Sequence, residues 1–388
     1  VMKILITGSQ GFIGSNLKES LKNIRQGYDH RFADLMIEEI YEYDLDTDPA
    51  LLSEYCASCS FVFHLAGVNR PQKTEEYMSG NLAFTETLID HLRKRSNYCP
   101  IVFSSSIQAS LDNPYGQSKK AAEKLLIDHS IETGAQVMIY RFPNIFGKWC
   151  RPNYNSVVAT FCHNVARNLP ITVHDPEKDI NLVYIDDVIT ELIDSLKYTQ
   201  ESKDFYHEVS PVYRVRLGYI AELIHSFRET RNTLELPDMG DEFVRKLYAT
   251  YLSYLPENEL SYPLKSAADE RGSFTEVFRT ENRGQFSINI VKPGITKGNH
   301  WHYTKNEKFI VVSGHGIIRM RKVGRDANGS LYPLVEYEVS GDDLKVVEII
   351  PGYAHSITNL SETDDLVTLI WADECFDPKK PDTYHFEV

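Results

Sequence analysis

The sequence has no apolar run approaching the roughly 20 residues that a membrane-spanning helix needs, so bilayer insertion is not expected. Positive charge is scarce: 41 Lys and Arg stand against 55 Asp and Glu, a formal net charge of −14. Nucleic acid and anionic membrane surfaces both call for a basic face, and neither is an expected partner. Phosphorylated small molecules remain open, because a few local Arg and Lys residues can oppose the global sign. The cysteines, Cys56, Cys59, Cys99, Cys150, Cys162 and Cys375, are scattered and give no disulfide framework. The pair in "CASC" has metal or redox spacing, but no second pair completes a zinc site and a helix is expected there. Packing thiols are the reading. The opening "VMKILITGSQGFIG" reads directly as strand and glycine turn, with neither h-region nor cleavage site, and a cytoplasmic protein is expected.

What is present suggests two domains. At 388 residues, with 42% hydrophobic and 25% charged residues, the chain can bury more than one core. "KILIT" is the fully apolar run of a parallel strand covered on both faces, and "SNLKESLKN" after it has helical spacing. Between them lies Thr7-Gly8-x-x-Gly11-Phe12-Ile13-Gly14. Gly8 permits the tight turn, Gly11 lets the backbone approach a pyrophosphate, and Gly14 allows close helix–strand packing, with the helix N-terminus facing the phosphates. "EEIYEYDL", "SFVFHLAG" and "PIVFSSS" continue the strands, with helical segments between them, predicting a doubly wound α/β sheet. Asp44 ends the second strand, where an acid binds ribose hydroxyls and favours NAD over NADP; a solvated acid is the alternative.

The chemistry of this domain lies in "FSSSIQASLDNPYGQSKKAAEKLL". Tyr115 and Lys119 are four apart and share a helix face. A nearby ammonium is expected to lower the tyrosine pKa toward proton transfer, and a serine at the strand end can hold the carbonyl. With "TGSQGFIG", "HLAG", "GNLAFTETL", "YGQSK", "RFPNIFG" and "YIDDV", the first ~250 residues resemble the extended short-chain dehydrogenases/reductases that act on nucleotide sugars. The resemblance implies Ser106, Tyr115 and Lys119 as the catalytic trio and Asn81 in support. It also implies cofactor contacts from Leu65, Ala66 and Gly67, and substrate contacts from Asn144 and Asn155. Only eight residues separate Ser106 from Tyr115, fewer than the family usually has, and Ser105 is the alternative serine. The dehydratases of that family follow the strand with an acid pair; here Ile107 and Gln108 follow, so hydride transfer is expected rather than water elimination.

The last third changes character. "GQFSINIV", "EKFIVVSG", "GIIRMRKV", "LVEYEV", "KVVEIIP" and "LVTLIW" are short β-rich runs, and a β-sandwich or barrel is expected, with the domains divided as 1–246 and 247–388. In "GITKGNHWHYTKNEKF", His300 and His302 point to one side of a strand, Glu307 follows a turn, and His355 comes from "PGYAHSITN". Three imidazoles and a carboxylate suit zinc or another first-row divalent metal. The spacing Gly294, His300, His302, Glu307, Gly314, with Pro351 to Asn359 as a second motif, resembles the cupin family. "DERGSFTEVF" and the histidine segments are also similar to the cupin-fold epimerases of deoxysugar 4-ketones. There the residue matching His300 is the base. Here the metal set claims it, leaving Tyr353 and Lys297 as candidate bases, while Asp269, Arg271 and Glu276 match positions near the nucleotide sugar.

The whole chain, including "NPYGQSK", "FGKWCRPNYNSVVATF" and "CFDPKKPDTY", resembles the bifunctional capsular-polysaccharide enzymes that join a C3-epimerase to a C4-reductase. That resemblance implies a UDP-activated 4-keto-6-deoxy amino sugar as substrate and NADPH as reductant (against the NADH reading of Asp44); a homodimer is the expected assembly. The alternatives are a reductase or 4-epimerase whose cupin only binds sugar or dimerises.

Overall fold

The computed structural model describes residues 1–68, 73, 75–198 and 204–388. It divides into two compact units, one formed by Val1–His225 with Glu242–Pro256, the other by Ser226–Asp241 with Glu257–Val388. Among the described residues no helix is long and apolar enough to cross a membrane.

The first unit is the expected doubly wound sheet. Strands β1 (Met2–Thr7), β2 (Ile37–Tyr43), β3 (Phe61–His64), β4 (Ile101–Ser106) and β5 (Val137–Phe142) pair in parallel. A short strand, Tyr206–His207, closes the edge in the order β2-β1-β3-β4-β5 followed by that strand. Successive residues of β1 go to opposite faces. Ile4 and Ile6 pack with Leu17, Leu21 and Ile24 of the helix Phe12–Arg25, and with Val188, Ile189 and Leu192 of the helix Ile185–Asp194. Leu5 packs on the other face with Leu52, Cys56, Leu88 and Leu92. Each such side chain contributes about 1.5–3 kcal/mol on full burial, which is why the strands are apolar throughout. Cys56 and Cys59 lie in that second core beside Cys99, as packing thiols.

Strand order reverses between β1 and β3, so their carboxyl ends, Thr7 and His64, flank the crevice where open α/β sheets bind ligands. The glycine turn sits there. Gly8 has φ +72°, and a Cβ on it would lie 2.6 Å from the Ala66 nitrogen. A Cβ on Gly14 would lie 2.0 Å from the Gly8 carbonyl oxygen, so the helix can approach the turn this closely only with glycine.

The second unit holds two antiparallel sheets. One contains β6 (Gly272–Thr280), β7 (Gly284–Val291), β9 (Glu307–Ser313) and β12 (Leu366–Ala372), once β8 (Thr296–Trp301), β10 (His315–Lys322) and β11 (Tyr353–Asn359) are assigned to the other. Val291, Phe309, Val311 and Ile370 of the first meet Ile318, Met320 and Ile357 of the second in one core. Strand β8 pairs His300 with His355 of β11, and a register shift between Gly298 and His300 accommodates Asn299 at φ +56°.

Gly14→Ala is expected to lower folding stability by about 1–3 kcal/mol, because backbone must move to admit the methyl group. Denaturant unfolding measures it, and an unchanged midpoint would contradict the packing described.

Candidate functional site

Two groups of side chains converge, one in each unit. In the first, the helix Pro114–Thr133 lies beside β4. Pro114 is at its first turn and the Asn113 side chain accepts from the Gly116 amide at 2.8 Å, which fixes where the helix begins. Lys119, fully buried, donates from Nζ to the Ser104 carbonyl at 2.9 Å and sits 5.0 Å from the Phe103 ring centroid. Burial pushes its pKa down to about 8, against the raising effect of Glu123. Burial pushes Tyr115 up to about 12, with hydrogen bonding to the Ser106 side chain opposing and the Tyr77 phenol adding to it. The expected lowering of Tyr115 by Lys119 is therefore corrected. The ammonium is turned to a backbone carbonyl, and desolvation of the phenol outweighs it.

Strand alternation separates the serines. Ser106 is near enough to Tyr115 to oppose the rise in its pKa, whereas Ser105 points the opposite way along the strand and donates to Glu123 Oε1 at 2.5 Å. Asn81 lies in a wide helical turn, Met78–Ala83, of the π type often found at functional sites. It accepts from the Val68 amide at 2.9 Å and donates to Ser118 Oγ at 2.9 Å. A Cβ on Gly67 would lie 2.9 Å from both Asn81 Oδ1 and Lys119 Nζ, so these three residues meet. Leu65 and Ala66 donate their amides to the Thr7 carbonyl and Thr7 Oγ1, at 3.1 and 3.4 Å. Phe12 and Ile13 open the helix after the turn and pack partly against the core.

A buried chain of hydrogen bonds that sequence reasoning left out joins these pieces. Thr85 Oγ1 donates to the Asn81 carbonyl at 2.6 Å, so it must accept from His64 Nε2, 2.8 Å away. His64 Nδ1 is then the acceptor for Thr7 Oγ1 at 2.7 Å. This requires a neutral imidazole, and burial, with Lys119 adding to it, lowers the His64 pKa to about 3. "HLAG" contains the histidine, but its partners are remote in sequence.

Asp44 lies at the end of β2, with Oδ2 accepting from the Gln10 amide at 2.8 Å and Oδ1 from its neighbour Leu45 at 2.9 Å. Its carboxylate thus braces the glycine turn. Asn144 and Asn155 are exposed, Asn144 on the strand Asn144–Phe146.

In the second unit, one ligand atom each from His300, His302, Glu307 and His355 lies within 4.8 Å of the others. His302 Nε2 and His355 Nε2 are 3.4 and 3.5 Å from Glu307 Oε2. These three atoms and His355 Nδ1 are buried without a hydrogen-bond partner. The other nitrogen of His302, Nδ1, faces the Asp382 carbonyl oxygen, which only accepts, so Nδ1 carries the proton. In neutral His302, the Nε2 lone pair then faces a carboxylate oxygen. That opposition is relieved by a proton or by a cation between them, and the N/O donor set fits zinc or a similar divalent ion. Burial, then His300, lowers the His355 pKa to about 3, which favours the neutral form a ligand needs. Burial would raise Glu307, but the surrounding imidazoles, His302 first, leave it lowered.

The remaining expected residues have partners of their own. Lys297 Nζ donates to the carbonyls of Ile290 and Ser273 and to Asn289 Oδ1, at 2.8, 3.2 and 3.2 Å. Tyr353 is two residues before His355 on β11 and packs against the core. Arg271 pairs with Asp269 at 2.6 Å and Glu276 with Arg279 at 2.5 Å. Asp382 was missed by sequence reasoning. Its carboxylate accepts the amides of Tyr303, Thr304 and Lys305, at 2.9, 2.8 and 3.1 Å, fixing the loop between His302 and Glu307. Burial would raise its pKa, yet those amides hold it well below the usual carboxylate range.

Fold and glycine turn together define a dinucleotide-binding α/β chain carrying an all-β extension. Residues 4–205 match the NAD dependent epimerase/dehydratase family and residues 267–384 match the polysaccharide biosynthesis C-terminal domain. The chain is 41% identical over 387 residues to UDP-2-acetamido-2,6-beta-L-arabino-hexul-4-ose reductase of Pseudomonas aeruginosa, covering 100% of this chain and 99% of the relative. The crystal structure of the capsular polysaccharide assembling protein CapF from Staphylococcus aureus is 46% identical, with TM-score 0.89 and 100% of both chains covered. CapF with the inhibitor 3-isopropenyl-tropolone is 43% identical, with TM-score 0.84 and the same coverage. The chain belongs to the NAD dependent epimerase/dehydratase family, in the two-part group that includes CapF.

Asp382→Ala is expected to weaken any zinc held by this cluster about 10–100-fold by freeing the loop between His302 and Glu307. Competition with a chromogenic chelator measures this, and wild-type affinity in the folded variant would contradict the role given to Asp382.

Proposed function

We propose that the chain is a bifunctional nucleotide-sugar enzyme working at these two places. The β domain, a cupin on this reading, epimerises C3 of a UDP-2-acetamido-2,6-dideoxy-4-ketohexose. The α/β domain then reduces C4 with NADPH to UDP-2-acetamido-2,6-dideoxy-L-talose, a precursor of UDP-N-acetyl-L-fucosamine for capsule or O-antigen. The observation that carries the reading is the pairing, in one chain, of a buried Tyr115–Lys119 site beside a dinucleotide turn with a cluster of orphaned ligand atoms. The relative's name supports it, since a hexul-4-ose carries its ketone at C4. So does the CapF inhibitor, because a tropolone presents two adjacent oxygens to a metal. A cytoplasmic homodimer is part of the proposal.

The glycine turn of Gly8, Gly11 and Gly14 would hold a reduced nicotinamide dinucleotide, which when bound would supply a hydride for C4. Ser106 orients the ketone oxygen, and Tyr115, held protonated by its raised pKa, gives that oxygen its proton. Lys119, an ammonium below about pH 8, offsets the phenolate charge left behind. Asp44 already accepts two amides, so it is a brace before it is a cofactor selector, and NADPH follows the family resemblance. Zinc held by His300, His302, Glu307 and His355 would polarise the 4-ketone and acidify the C3 proton. Tyr353 is the base that the geometry leaves freer, since Lys297 is committed to three acceptors. Asp269, Arg271 and Glu276 would face the nucleotide.

Metal-loaded protein without nicotinamide is expected to exchange solvent deuterium into C3 of the 4-keto sugar. Tyr115→Phe should keep that exchange and lose ketone reduction by at least about 10²-fold. Absence of exchange would leave a reductase alone, and loss of both activities in the folded variant would contradict two separate sites. Reduction rates with NADPH and NADH decide the cofactor, with faster turnover on NADH overturning the choice made here.

A further inference from the structure

The helix Pro114–Thr133 presents not two but three residues to β4. Tyr115, Lys119 and Glu123 follow at intervals of four, and each addresses a different group at the strand end: the Ser106 side chain, the Ser104 carbonyl and the Ser105 hydroxyl. Glu123 is 1% exposed and is the most heavily bonded of the three. Besides Ser105 at 2.5 Å, it accepts from Arg141 Nε and Nη2 of β5 at 2.9 and 2.6 Å, and from the Tyr206 hydroxyl at 3.2 Å. Arg141 thus grips it at two points.

We infer that Glu123 is a positioning residue of the Tyr115–Lys119 site: it clamps the Ser104–Ser105 peptide opposite Lys119. This rests on the reading of Tyr115 and Lys119 as the reducing site. The peptide is gripped from both ends, because Lys119 takes the carbonyl of Ser104 and Glu123 takes the side chain of the next residue. A shift of that peptide would carry Ser106 with it, away from Tyr115.

The charges facing Lys119 are few. From β4 come the Ser104 carbonyl and the Phe103 ring, and from its own helix Glu123. Asn81 Oδ1 approaches beside Gly67, and His64 on β3 is neutral. Among the charges that act on Lys119, Glu123 favours the protonated form against desolvation. Arg141 and Tyr206 face Glu123 from the sheet edge. Removing the carboxylate therefore lowers the pH at which Lys119 loses its proton.

The test is a pH titration of full-length protein labelled with [ε-13C]lysine, the Lys119 resonance being assigned by its loss in Lys119→Met. Wild type should titrate near pH 8. Glu123→Gln should shift the midpoint to lower pH, and Glu123→Asp should return part of the shift. Ser105→Ala, which keeps the charge, should leave the midpoint in place and lower kcat for ketone reduction about 10-fold or more through the released peptide. A Glu123→Gln midpoint at or above wild type in folded protein would overturn the charge role, and an unchanged kcat in Ser105→Ala would overturn the clamp. Should Glu123→Gln not fold, Glu123→Asp alone decides the charge role by whether its midpoint falls. A wild-type protein that reduces no 4-keto sugar would sink the reductase reading, while the titration still decides whether Glu123 sets the Lys119 charge.

Discussion

The grip of one helix on one strand end is the constraint from which the first site follows. Lys119 is buried, and an ammonium out of water is costly unless its protons find acceptors. The Ser104 carbonyl is that acceptor, at 2.9 Å, and its availability depends on β4 ending where the helix begins. Asn113 and Pro114 fix that beginning, and the parallel pairing of β4 with β3 and β5 fixes the strand. The same register places Ser106 by Tyr115 and turns Ser105 to Glu123 of the same helix.

The neutral His64 chain extends this order to the glycine turn. It runs from the Ala66 amide through Thr7 and His64 to Thr85 and the Asn81 carbonyl, so the ends of β1 and β3 are joined to the segment that carries Asn81. A protonated His64 would break it, since Nδ1 would no longer accept from Thr7. The second site is built on the opposite principle. There the lone pairs of His302, His355 and Glu307 are buried with nothing to satisfy them, an arrangement whose cost falls only when a cation or proton is shared among them.

The elements of both domains were legible in the sequence because hydrophobic period and turn residues are local. "KILIT" lies within its strand, "PIVFSSS" and "EKFIVVSG" overrun theirs by one residue each, and His300, His302, Glu307 and His355 do meet. What was not legible depends on partners far along the chain. Thr7 and His64 are 57 residues apart, and His302 and the Asp382 carbonyl 80. Spacing alone also misjudged the sign for Tyr115, since i, i+4 proximity says nothing of burial. Asp44 showed its strand-end position in the sequence but not that its oxygens accept the amides of Gln10 and Leu45.

The central claim is that two chemically distinct sites share one chain, each able to work without the other. The most direct measurement mixes two variants that each lack one activity, Tyr115→Phe without reduction and Glu307→Gln without C3 exchange, with the 4-keto sugar, NADPH and zinc. The account predicts that the mixture oxidises NADPH and forms the C3-inverted, C4-reduced sugar, while neither variant alone does so. A mixture that forms none of this sugar, from two variants shown to be folded, would contradict it.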